Sequence, residues 1–103
     1  MIEAFKNLFG LGAKIDYAQL VREGAVIVDV RTRGEFEGGH IKGAINIPLD
    51  QLANNLGKIS KNKAVITCCA SGMRSASAKN ILKSKGYNEV YNGGGWHSLN
   101  AKL

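Results

Sequence analysis

Ala64-Val65-Ile66-Thr67-Cys68-Cys69-Ala70-Ser71-Gly72-Met73-Arg74-Ser75 opens as an unbroken apolar and β-branched run and ends as a short polar loop. A continuous run, as opposed to an alternating one, suits a strand covered on both faces, as in a parallel sheet. Ala25-Val26-Ile27-Val28-Asp29-Val30 reads the same way. Shorter strand candidates are Ala44-Ile45-Asn46-Ile47, stopped by Pro48, and Glu89-Val90-Tyr91, stopped by Asn92 and the glycines after it. Lys14-Ile15 is a further candidate to start the sheet, because Asp16 then reads as a helix N-cap. Between these lie helical patterns. Tyr17 to Glu23 ends at Gly24, Leu49 to Leu56 places Leu49, Leu52, Ala53 and Leu56 on one face, and Ser75 to Lys85 directs Ala78, Ile81 and Leu82 inward. Trp96 to Leu103 completes the set. Strands alternating with helices predict an α/β fold: an open parallel sheet of about five strands with helices on both faces.

The chain of 103 residues has room for one domain, assigned to residues 14–103, with 1–13 as an N-terminal extension. Hydrophobic residues at 45% and charged residues at 21% exclude a disordered chain, and no apolar run approaches the roughly 18 residues of a membrane span. The N-terminal apolar residues alternate with Glu3, Lys6 and Asn7, unlike a secretory leader, so a cytoplasmic location is expected, or a periplasmic one if a leader was removed. A formal charge of +6 favours small anionic partners. The lysines fall at predicted helix ends and loops without an arginine–aromatic cluster, so neither nucleic acid nor membrane is an expected partner. Adjacent Cys68 and Cys69 cannot close an ordinary structural disulfide, and they lack the spacing of a metal site.

In open α/β sheets ligands bind beyond the carboxyl ends of the strands. Cys69 stands there, followed by Ala70, Ser71, Gly72, Met73, Arg74 and Ser75, the expected binding loop. Successive loop N–H groups and a helix N-terminus make an anion cradle, and Gly72 lets the backbone curl. Arg74 can add charge, and Ser75 can cap the helix or donate to a thiolate. Such surroundings lower a thiol pKa from ~8.5 and make Cys69 the candidate nucleophile. Cys68, within the strand, is expected to be an inert buried thiol.

Val28-Asp29-Val30-Arg31-Thr32-Arg33-Gly34-Glu35-Phe36-Glu37-Gly38-Gly39-His40-Ile41-Lys42-Gly43-Ala44-Ile45-Asn46-Ile47-Pro48 resembles the first signature of the rhodanese homology family, D-V-R…E-F…G-H-I-x-G-A-x-N-I-P. Cys69 to Ser75 resembles its second, C-x-x-G-x-R-S. The resemblance runs from Lys14 to Leu99 and is similar to that of small single-domain bacterial members. It implies a rhodanese-like sheet, no cofactor and no metal. It further implies a thiosulfate sulfurtransferase type of activity, moving a sulfane sulfur from a small anionic donor (thiosulfate, polysulfide or a persulfide) to cyanide, a thiol or a protein acceptor. Cys69 would carry the sulfur as a persulfide. Asp29, Arg31, Glu35 and His40 match first-signature positions, where the expected roles are largely structural, holding loops near the cradle; Asp29 and Arg31 are the expected supporting residues, with Asp29, at a strand end, expected closest to the site.

Several features depart from the family pattern. Cys68 replaces a residue that is often aromatic, and the loop carries Arg74 as its single charge, which argues against a special preference for thiosulfate and admits polysulfide or a low-molecular-weight persulfide as donor. Asn92-Gly93-Gly94-Gly95-Trp96 alters the usual double glycine, placing Leu99 where the family tryptophan stands and Trp96 over the pocket rim. Two other functions fit the same fold. One is a non-enzymatic or carrier module that binds a protein partner; the other is a cysteine-based phosphatase or arsenate reductase, whose loop is one residue longer than the four residues between Cys69 and Arg74.

Overall fold

A computed structural model describes residues 15–103. Its strands are β1 (Val26–Asp29), β2 (Ile45–Asn46), β3 (Val65–Cys69) and β4 (Val90–Gly95), all parallel in the order β2-β1-β3-β4. The helices are α1 (Tyr17–Arg22), α2 (Arg33–Glu37), α3 (Met73–Ser84) and α4 (Trp96–Ala101). The two long apolar runs become the central strands, and the five residues of β3 are all buried. Each face of the sheet has its own core. Val28, Val65, Cys69 and Val90 meet Leu52, Ile59, Ala78, Leu82 and Tyr87 on one face. Ile27, Ile66 and Cys68 meet Leu99 on the other, with Tyr17, Leu20 and Trp96 packed around them. Burying each such large side chain contributes about 1.5–3 kcal/mol. No helix among the described residues is long and apolar enough to cross a membrane.

The structure corrects the expected elements in four places. Among the described residues the sheet has four strands, not five; Ile15 lies outside any strand, and Lys14 and the extension 1–13 lie outside the described residues. The segment expected as a helix from Leu49 is instead two 3-10 turns, Leu49–Asn54 and Leu56–Lys58, closed by i→i+3 bonds such as Gln51 N–H to Pro48 O. Asn54, Asn55 and Gly57 are poor helix formers, and Leu52 and Ile59 anchor the segment to the core. Helix α2 was not anticipated, although Thr32 and Glu35 form the T-x-x-E capping box that announces it. Finally, β4 runs on through Asn92 and all three glycines.

That last extension has a steric cause. A Cβ at Gly93 would stand 2.8 Å from the Thr67 carbonyl oxygen, and one at Gly95 would stand 2.9 Å from that of Ala70. The glycines let β4 press against β3 and the loop that follows it, which a side chain would prevent.

Candidate active site

The site is built where β3 gives way to α3. Cys69 is the last strand residue, Ala70 and Ser71 cross the sheet edge, and Gly72 takes φ +101° to turn the chain into the helix. An L-residue with a Cβ is strained in that left-handed conformation, so glycine is what lets so short a loop fold back over its own cysteine. The fold-back brings donors to the sulfur. Gly72 N–H donates to Cys69 Sγ at 2.9 Å and Ser75 N–H at 3.3 Å, with Ser75 Oγ 3.4 Å away. Burial pulls the Cys69 thiol up. Bonds from the Ser75 hydroxyl and the N–H groups of Ser75, Gly72 and Ser71 outweigh it, leaving the thiol below its ordinary value.

Ser75 is itself buried and held by Asn92 of β4. Its hydroxyl donates to Asn92 Oδ1 at 2.6 Å. Gly94 N–H donates to the same oxygen at 2.9 Å, and Asn92 Nδ2 donates to the Gly72 carbonyl at 3.3 Å. These backbone partners orient the amide. Asn92 was absent from the expected site; a polar residue ending an apolar strand run was the signal available.

Arg74 stands in the first turn of α3, where its guanidinium is engaged by a carboxylate. It forms a two-point pair with Glu35 of α2, NH1 to Oε1 at 2.7 Å and NH2 to Oε2 at 3.1 Å. Arg74 in turn holds the Glu35 carboxyl down at about 2. Met73 beside it is 79% exposed.

Asp29 and Arg31 form a buried pair behind the loop. Arg31 donates through Nε to Asp29 Oδ1 at 2.9 Å and through NH2 to Oδ2 at 2.7 Å. Two further guanidinium protons reach the carbonyls of Glu35 and Gly39. Asp29 pairs in register with Cys68, so this ion pair lies along the strand position of the other cysteine. Trp96 lies over the Arg31 guanidinium, 4.7 Å from ring centroid to Cζ, and packs with the Cys68-side core. It covers the ion pair. Leu99 fills the core beneath it. His40 stacks on Phe36 at 3.7 Å and bonds the Phe36 carbonyl through Nδ1, a local contact within the α2 turn.

Comparison with known proteins places this arrangement. The family model described as Rhodanese-like domain matches residues 14–102. Uncharacterized protein YqhL of Bacillus subtilis is 42% identical over 80 residues, 77% of this chain and 64% of that protein, so the chain spans less than two thirds of that relative. Thiosulfate sulfurtransferase PspE of Escherichia coli is 39% identical over 70 residues, covering 66% of this chain and 67% of that one. The solved structure described as rhodanese with anions from E. coli superposes with a TM-score of 0.69 at 35% identity, covering 73% of this chain and 91% of its own. A match over nearly all of the sequence, with the strand–loop–helix around Cys69 in place, makes this chain a member of the rhodanese-like domain family.

Proposed function

We propose that the protein is a sulfurtransferase in which Cys69 carries the transferred sulfur as a persulfide. The observation that carries this reading is the cradle: Sγ receives two backbone N–H groups within 3.3 Å at a strand end, and its thiol is lowered. In the first half-reaction the Cys69 thiolate attacks the outer, sulfane sulfur of the donor. The donor's S–S bond breaks, and the leaving group, sulfite when thiosulfate is the donor, departs with the electron pair. In the second, an acceptor such as cyanide or a thiolate attacks the outer persulfide sulfur and the Cys69 thiolate is released. The cradle N–H groups hold negative charge on sulfur throughout and need no reorganisation between steps. The sulfurtransferase named among the relatives supports the reaction class. A phosphatase reading is disfavoured because the loop's one arginine is taken up by Glu35.

The test is an intact-mass measurement after incubation with thiosulfate or polysulfide and desalting, beside Cys69→Ser. The expected result is a gain of about 32 Da on the wild type alone, reversed by cyanide. No gain from either donor overturns the reading in favour of a module that only binds a partner.

A further inference from the structure

The charges at the Cys69 end of the sheet cancel one another. Three arginines follow the carboxyl ends of the central strands, and each is engaged by a carboxylate of this chain: Arg31 by Asp29, Arg33 by Glu37 and Arg74 by Glu35. The excess positive charge lies elsewhere. Lys58, Lys61 and Lys63 precede β3, and Lys83 and Lys85 close α3, so they gather at the opposite pole of the sheet. A chain carrying +6 therefore offers its candidate nucleophile a mouth with no unpaired guanidinium among these arginines.

Glu35 is held in place for this role. Its Oε1 accepts from the Thr32 N–H at 2.9 Å and from the Thr32 hydroxyl at 3.1 Å, so the carboxylate is fixed by the cap of α2 before it meets Arg74. Both guanidinium contacts then fall on a preset acceptor, at 2.7 and 3.1 Å. What remains around Sγ is backbone N–H and a hydroxyl, with the exposed Met73 opening the helix that follows. Partial charges suit a polarisable sulfur with a weakly charged tail. The thiosulfate dianion is better held by a full counter-charge, and the Arg74 guanidinium that could supply it is engaged by Glu35.

We propose that Glu35 is a specificity-determining residue that masks Arg74 and selects organic hydropersulfides over the thiosulfate dianion as sulfur donors. The inference rests on the sulfur-transfer reading. The favoured loading step is Cys69–S⁻ + R–S–SH → Cys69–S–SH + R–S⁻. One S–S bond forms and one breaks, the pair of electrons leaves on the R–S sulfur, and no external oxidant or reductant takes part.

The experiment measures second-order rates of the 32 Da gain, about one sulfur, by rapid quench and intact mass. Donors are thiosulfate and the hydropersulfide of 2-mercaptoethanol, whose organic tail carries no charge, and the readout is the ratio of their rates. Glu35→Gln keeps an acceptor for the α2 cap but removes the masking charge. It should move the ratio roughly fivefold toward thiosulfate, and its thiosulfate rate should fall more steeply with added salt than the wild type's. The double variant Glu35→Gln with Arg74→Gln removes a neutral pair and should keep the wild-type ratio. An unmoved ratio in Glu35→Gln overturns the proposal. So does selective loss of thiosulfate loading in the double variant, which would mean that Arg74 already serves that donor. If neither donor loads the wild type, sulfur transfer itself is wrong and the proposal falls with it.

Discussion

Cys68 and Cys69 are neighbours in one strand, both fully buried, and yet they are opposite kinds of thiol. Burial and then the nearby Asp29 carboxylate push Cys68 up to about 12. Cys69 bears a desolvation penalty too, but its sulfur points to the face where α3 begins, and the N–H groups of the loop bring it below the ordinary thiol value. The period of two along a strand separates them, sending successive side chains to opposite faces. Burial by itself therefore does not silence a cysteine. What decides is whether the backbone around the sulfur has spare donors, and spare donors exist only where a strand ends and a helix starts.

The largest expected effect breaks the comparison outright. Cys69→Ser should abolish sulfur loading, whereas Cys68→Ser should leave loading within a few-fold of wild type. Iodoacetamide at neutral pH should alkylate one thiol per chain, placed on Cys69 by peptide mapping. The rate should rise with pH through a midpoint below that of an ordinary thiol, because the reactive form is the thiolate and the loop's donors lower its pKa. Cys68 should react only once the chain is unfolded. Alkylation of both thiols in the folded protein would show that the strand alternation does not govern them.

A second effect acts on the Cys68 side. Asp29→Ala leaves the buried Arg31 guanidinium without its carboxylate, and such a loss costs about 3–5 kcal/mol. Urea unfolding at neutral pH should show a midpoint moved well down with an unchanged slope. The same variant removes the carboxylate nearest Cys68, so that thiol should become easier to ionise once exposed by local opening. A change under about 1 kcal/mol, the range of a surface pair, would mean that the Asp29–Arg31 pair does not hold the loops.

Much of this contrast was legible in the sequence because it depends on local rules. A continuous apolar run marks a buried strand, and Cys69-Ala70-Ser71-Gly72 marks its exit into a helix, so the candidate nucleophile could be named from residues alone. The partners that arrive from distant segments were not legible. Asn92 reaches Ser75 from a strand that Gly93 and Gly95 let press against β3 and its loop, and glycines ordinarily read as the end of a strand. The Arg74–Glu35 pair joins residues 39 positions apart, and no spacing rule on either segment predicts it. Among the described residues the sheet has four strands and Ile15 joins none of them: a two-residue candidate such as Lys14-Ile15 has no pattern of its own, and pairing is decided by neighbours that the sequence does not order.

The smallest expected effect sharpens the comparison at Ser75. Its hydroxyl carries one proton, donated to Asn92 Oδ1 at 2.6 Å; Cys69 Sγ, 3.4 Å away, donates to Oγ as the thiol and competes for that proton once it is the thiolate. The shorter contact has the stronger claim, so the hydroxyl gives Sγ only part of what the fixed N–H groups give. Ser75→Ala keeps the Ser75 N–H and removes the hydroxyl. The Cys69 midpoint in the alkylation profile should therefore rise toward the free-thiol value, and the rate at neutral pH should fall by roughly two- to threefold, a modest loss typical of a single shared hydrogen bond. A rise large enough to erase the difference from an ordinary thiol would make the hydroxyl, and not the backbone, the source of Cys69's character. A fall in the midpoint would mean that Ser75 Oγ accepts from the thiol while its proton stays with Asn92, leaving the loop N–H groups as the whole basis of the contrast with Cys68.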